Sequence, residues 1–90
     1  MSMEARIRNK LRAALAPERL EIINESALHA GHHGSPATGE SHFRLLIVAA
    51  RFQGMTRLER HRLVNATLAE ELAGGLHALA VQAVAPGELS

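Results

Sequence analysis

Several residue types that commonly stabilise or equip small proteins are missing from this 90-residue chain, which contains no cysteine, tryptophan, tyrosine or aspartate. Without cysteine, disulfides cannot brace the fold, and a metal held by the chain alone must use nitrogen or oxygen ligands. No hydrolytic triad motif surrounds the serines, and neither the GxGxxG nor the GxxxxGK[ST] phosphate-binding spacing occurs. These absences argue against an enzyme.

Long hydrophobic runs and a strong net charge are also lacking. The longest aliphatic run, residues 45–50, is far shorter than the roughly 20 residues of a membrane helix. The first residues alternate charged and apolar types, unlike a secretion signal. Ten Lys/Arg against nine Glu give a formal charge of +1, which is no footprint for generic nucleic-acid binding. We expect a single cytoplasmic domain over residues 1–90, monomeric when free and without a membrane partner.

Hydrophobic periodicity predicts the order helix, strand, strand, helix, strand. The predicted elements are a helix over 3–16, strands over 19–26 and 42–52, a helix over 57–72 capped by Thr56, and a strand over 76–84. Consecutive strands most simply pair antiparallel, and the second helix is a right-handed crossover that lets the third strand run parallel to the second. The expected fold class is α+β, with two layers and a three-stranded mixed sheet.

Side chains are assigned to core or solvent from the same pattern. The second helix should bury a stripe of four residues, His61, Val64, Leu68 and Leu72. Both aromatic residues, Phe43 and Phe52, are predicted to lie in the core. Five glutamates are interpreted as solvated, namely Glu21, Glu25, Glu59, Glu70 and Glu71.

Four of the six histidines lie within residues 27–43, mostly in the glycine-rich loop between the first two strands. The predicted topology puts the starts of the second and third strands at the loop's end of the sheet. His42 and His77 should therefore lie near His29, His32 and His33. Neutral imidazole is a good ligand for iron and zinc, so this grouping is compatible with a metal site.

Structural roles are the alternatives for each of these histidines. A hydrogen bond to a turn would account for His42, and packing on the helix stripe would account for His61. For the pair His32 and His33, composition alone favours a solvated polar loop. A metal-binding loop that needs no partner remains a further hypothesis.

The segments NES, SHFRLLIVAARFQG, RHRLV, LAEEL and HAL occur in an order and spacing that resembles the BolA family, across residues 6–88. The resemblance implies an α-β-β-α-β fold similar to class II KH domains. It also implies a heterodimer with a monothiol glutaredoxin that holds a shared [2Fe-2S] cluster. The family's ligand positions correspond to His77 and His29, with His32 and His33 as alternates. Thiolates would come from glutaredoxin and glutathione, and no cofactor is expected in the isolated protein.

The resemblance also implies a second function, DNA-binding transcriptional regulation of morphology and the stress response. Phosphate contacts would then come from Arg57, Arg60 and Arg62, although these residues could equally form a solvated helix face with Glu59. The turn at residues 54–57, GMTR, lacks the second glycine of the GXXG loop of nucleic-acid-binding KH domains. No exposed aromatic residue is predicted that could stack on a base.

Overall fold

The chain folds into a three-stranded sheet with helices packed on one face, as the computed structural model of residues 2–25 and 42–88 shows. The elements are α1 (Met3–Leu15), β1 (Arg19–Asn24), β2 (His42–Val48), a 3₁₀ turn (Ala50–Phe52), α2 (Arg57–Thr67), α3 (Ala69–Ala73) and β3 (Ala78–Val84). The predicted order is confirmed, except that the second helix is divided in two. Across the described residues, no helix has the length and apolarity needed to span a bilayer.

The sheet has the strand order β1-β2-β3, with β1 antiparallel and β3 parallel to β2. The registers pair Asn24 with Phe43 and His42 with Ala78. The end of β1 and the starts of β2 and β3 therefore lie at one end of the sheet. The predicted α+β class with a three-stranded mixed sheet is confirmed, and α2 and α3 form the crossover that a parallel pair requires.

The core lies between the helices and one face of the sheet. Helix α1 buries a stripe at helical spacing, Met3, Ile7, Leu11 and Leu15. Alternate residues of β2, including Phe43 and Leu45, face this stripe, because strand side chains point to opposite faces in turn. Phe52 is also buried, so both aromatic residues lie in the core as predicted. None of the helices that the structure describes covers the other face of the sheet, which carries exposed residues such as Arg44 and Gln82.

Helix α2 begins with a capping box, which confirms Thr56 as its N-cap. The Thr56 hydroxyl accepts a hydrogen bond from the Glu59 N–H at 3.1 Å, and the Glu59 carboxylate accepts one from the Thr56 N–H at 2.7 Å. Two of the N–H groups that a helix start leaves unpaired are satisfied in this way. The turn before the cap depends on Gly54, whose φ of 78° favours glycine.

Several predicted boundaries differ from the structure. Helix α1 ends at Leu15 rather than at residue 16, and β1 ends at Asn24 rather than at residue 26. Strand β2 ends at Val48 rather than at residue 52, because the chain turns through the 3₁₀ segment that buries Phe52. The predicted helix over 57–72 is interrupted at Leu68, which is fully buried between α2 and α3. Strand β3 begins at Ala78, so His77 lies just before the strand rather than within it.

The interpretation of Glu71 as a solvated residue is wrong. Its side chain is 0% exposed, and its Oε2 lies 2.9 Å from Lys10 Nζ and 3.1 Å from Arg6 Nη2. Burial raises the pKa of Glu71, but the Lys10 ammonium, a backbone hydrogen bond and the Arg6 guanidinium together lower it below its ordinary value. The carboxylate is therefore ionised and joins α3 to α1.

Candidate functional site

Two histidine rings lie side by side at the end of the sheet where β2 and β3 begin. Their ring centroids are 5.8 Å apart and the ring planes are inclined by 39°. His42 is the first residue of β2, and its register partner Ala78 directly follows His77. The prediction that His42 and His77 share one end of the sheet is confirmed. His77 is exposed and His42 is half-buried, so solvent reaches the pair.

The turn before β3 fixes where His77 lies. Gly75 has φ of 129°, a conformation that side chains disfavour, and it lets the chain leave α3 sharply. The next residue, Leu76, is buried and donates its N–H to the Glu71 carbonyl at 2.9 Å. The exposed His77 therefore lies between the buried, hydrogen-bonded Leu76 and the first residue of β3.

The loop that was expected to carry the other ligands leaves and re-enters the sheet beside this pair. Glu25, after β1, donates its N–H to the His42 carbonyl at 2.8 Å. The Glu25 carboxylate accepts a hydrogen bond from Arg44 Nε at 3.0 Å. His29, His32 and His33 lie outside the described residues, so their predicted role as ligands stays a prediction.

The His42 and His77 side chains offer imidazole nitrogens, which suit metals that accept nitrogen ligands. Within residues 2–25 and 42–88, no group of three or more histidine, glutamate, aspartate or cysteine side chains could hold a metal ion. Two imidazoles alone leave coordination positions open, which another molecule must fill. One iron of a [2Fe-2S] centre can be held by two histidines while thiolates hold the other, so His77 with a second histidine fits such a group.

The third described histidine, His61, lies elsewhere. It is half-buried on α2 and lines a cavity of about 580 Å³ at the far end of β3, with Met55, Val81, Gln82 and other residues. Its predicted place on the packed stripe agrees with this half-burial. Replacing His61 is therefore a suitable control for variants of the two histidines at the other end of the sheet.

The three arginines proposed for phosphate contact have different surroundings. Arg57 and Arg62 are exposed on α2. Arg60 donates to the carbonyls of Met55 and Ala83 at 3.1 Å, and to both carboxylate oxygens of Glu88 at 2.6 and 2.9 Å. A phosphate contact by Arg60 would have to displace these bonds. Its guanidinium also lies 5.9 Å from the centroid of the buried Phe52 ring.

Sequence reasoning did not find the role of Glu88. The Arg60 guanidinium and the Ala85 N–H, which donates to Glu88 Oε1 at 2.8 Å, lower the pKa of Glu88 to about 2. The only signal in the sequence is the residue pair P-G at positions 86 and 87, which predicts a turn. That turn brings the Glu88 carboxylate back to the Arg60 guanidinium.

Comparisons with known proteins agree with this fold. The family model for the BolA-like protein matches residues 11–88. BolA-like protein 1 from Mus musculus is 55% identical over 86 residues, which are 96% of this chain and 60% of the mouse protein. The DNA-binding transcriptional regulator BolA from Escherichia coli (strain K12) is 47% identical over 81 residues, which are 90% of this chain and 73% of that protein.

A solved structure is similar over nearly its whole length. The BolA domain of SufE1 from Arabidopsis thaliana has a TM-score of 0.88 and 45% sequence identity, and the match covers 99% of this chain and 98% of that one. From the match over residues 11–88 and from these relatives, the chain belongs to the BolA-like protein family.

Proposed function

We propose that this protein is a non-enzymatic adaptor that binds a monothiol glutaredoxin and shares a [2Fe-2S] cluster with it, in iron-sulfur cluster trafficking or iron regulation. The observation that carries the proposal is the exposed His77 ring at the end of the sheet where β1 ends and β2 begins. The loop between those strands contains His29, His32 and His33. His77 and one loop histidine would supply two nitrogen ligands.

The absence of cysteine determines what the partner must contribute. Two imidazoles from this chain leave the thiolates to glutaredoxin and its glutathione. In Rieske centres, two histidines replace two cysteines on one iron, and the reduction potential rises as a result. The shared cluster is therefore expected to have a higher potential than the cluster of glutaredoxin alone.

Reconstitution tests the proposal directly. Mixing this protein with a monothiol glutaredoxin, glutathione, iron and sulfide should give a complex with one copy of each protein. Its absorption and circular dichroism spectra should differ from those of glutaredoxin alone. The His77→Ala variant should lose the new spectrum, because a ligand is gone, whereas His61→Ala should retain it, because His61 lies at the far end of β3.

Two outcomes would count against the proposal. If the wild-type protein leaves the glutaredoxin spectrum unaltered, the shared cluster does not form. If His77→Ala gives the wild-type spectrum and the same cluster stability, His77 is not a ligand. If instead the new spectrum forms and is lost in His77→Ala, single replacements of His29, His32 and His33 identify the loop ligand.

DNA binding is the second candidate function, supported by the name of the relative from Escherichia coli and by the exposed side chains of Arg57 and Arg62. Both arginines lie on α2, and within residues 2–25 and 42–88 neither forms an ion pair, although the Arg62 charge helps to lower the pKa of Glu59. Phosphate contacts release counterions, so binding of this kind weakens steeply with salt.

Charge reversal at these arginines tests this candidate. For duplex DNA, Arg57→Glu/Arg62→Glu is expected to reduce the slope of log affinity against log salt by about two, one for each lost phosphate contact. The matched control is Arg12→Glu/Arg51→Glu, which changes the net charge equally at exposed positions on α1 and in the 3₁₀ turn. Equal losses in both variants would indicate a general charge effect and exclude the α2 surface.

A further inference from the structure

The close approach of His42 and His77 does not depend on a partner protein. It follows from the parallel pairing of β2 with β3, which places His42 opposite Ala78. His77 then lies one residue before the strand, and its ring centroid is 5.8 Å from that of His42. Two imidazole rings are therefore brought together by the sheet itself.

This separation suits a single metal ion between the rings. Bond lengths of about 2.0–2.1 Å to nitrogen place each ring centroid roughly 3.2 Å from the ion, so two imidazoles on a tetrahedral ion have centroids about 5 Å apart. The observed 5.8 Å exceeds this by less than an ångström. Because His77 is exposed, a small rotation of its ring would close the difference.

We infer that His42 and His77 form a two-imidazole binding site for a divalent transition-metal ion, such as zinc, in the free protein. This goes beyond the proposed function, since it requires neither glutaredoxin nor a cluster. The Glu25 carboxylate accepts a hydrogen bond from Arg44 Nε at 3.0 Å, so we assign only the two imidazoles to the site. Imidazole favours zinc, nickel and copper over magnesium and calcium, which prefer oxygen.

Two donors give an exchangeable site rather than a permanently loaded one. Water occupies the remaining positions, as in sites that keep open coordination for incoming ligands. A zinc ion bound there would occupy His77, the residue that the proposed cluster also needs. Zinc and cluster formation are therefore expected to compete for this protein.

Calorimetric titration of the isolated full chain with zinc chloride tests the inference. The wild-type protein should bind one zinc ion per chain, and magnesium chloride should give no binding. Loss of an outer partner of a metal ligand already costs about 10–100-fold in affinity, so His77→Ala and His42→Ala should each weaken binding by at least about tenfold. The control His61→Ala should bind as the wild type does.

The loop histidines provide the decisive comparison. The triple variant His29→Ala/His32→Ala/His33→Ala should keep zinc binding within a few-fold of the wild type. Loss of binding in this variant alone, wild-type binding by His42→Ala or His77→Ala, or no saturable binding by the wild type would overturn the inference. Because His42 is half-buried, its variant is checked by far-UV circular dichroism, and the exposed His77 provides an independent test.

The zinc titration and the cluster reconstitution test the two proposals independently. The titration contains no glutaredoxin, iron or sulfide, so the absence of zinc binding leaves the cluster proposal standing. Conversely, a protein that binds zinc through His42 and His77 but leaves the glutaredoxin spectrum unaltered would refute the cluster proposal alone.

Discussion

Replacing Leu68 with alanine is expected to lower the free energy of unfolding by about 2–5 kcal/mol, the usual cost of truncating a fully buried leucine. Leu68 is 0% exposed and lies where α2 ends and α3 begins. Its N–H donates to the Val64 carbonyl at 3.0 Å, and its carbonyl accepts from the Leu72 N–H at 2.9 Å. The truncation leaves a cavity beneath both helices.

The consequence is large because small domains have little stability to lose. A domain of this length has a total of roughly 5–13 kcal/mol. Urea denaturation followed by circular dichroism measures the loss. Leu58→Ala is the matched control, because Leu58 lies on α2 but is 58% exposed, and its effect should stay within about 0.5 kcal/mol. Equal losses for the two variants would contradict the assignment of Leu68 to the core.

Replacing Glu71 with glutamine is expected to destabilise the protein by about 1–3 kcal/mol at pH 7. The amide keeps the volume of the carboxylate but loses its attraction to Lys10 and Arg6, which lie 2.9 and 3.1 Å from Oε2. The natural control is Glu70→Gln. Glu70 also pairs with Lys10, at 3.1 Å, but its side chain is 82% exposed, and pairs of that kind contribute little.

The effect of Glu71→Gln should depend on pH in a defined direction. The pKa of Glu71 is lower in the folded protein than its ordinary value of 4.5, so ionisation stabilises the fold. This contribution is complete above the unfolded-state pKa and is lost as the pH falls through the folded-state pKa. The difference between wild type and variant should therefore shrink below about pH 4.5. A difference that is constant from pH 7 to pH 3 would contradict an ionised Glu71.

The sequence predicted the elements and topology of this fold well because local and topological signals agreed. Apolar spacing defined α1, the Thr56 cap defined the start of α2, and the crossover rule set β3 parallel to β2. The break at Leu68 was not predictable, since Val64, Leu68 and Leu72 keep helical spacing straight through it. The burial of Glu71 depends on Lys10, which lies 61 positions earlier in the chain, and local patterns cannot indicate such a contact.

Only one property of the candidate site was predictable from the sequence, namely which residues the strand pairing brings to the same end of the sheet. The antiparallel and parallel pairings expected from the sequence are enough to place His42 and His77 at one end of the sheet. The distance of 5.8 Å between their ring centroids depends on the turn through Gly75 and on the burial of Leu76. Residue spacing specifies neither. The loop histidines are assigned by family resemblance, and their role stays a prediction.

The pairing of Arg60 with Glu88 has a consequence for the edge of the sheet formed by β3. In the described sheet β3 is an outer strand, and its sequence, ALAVQAV, carries no charge to deter strand addition. The Val84 carbonyl accepts from the Ala49 N–H toward β2, so Ala83 and Ala85 direct their backbone groups outward. Arg60 occupies the Ala83 carbonyl and Glu88 occupies the Ala85 N–H. The ion pair therefore shortens the stretch of β3 whose backbone groups could bond to a strand of another molecule.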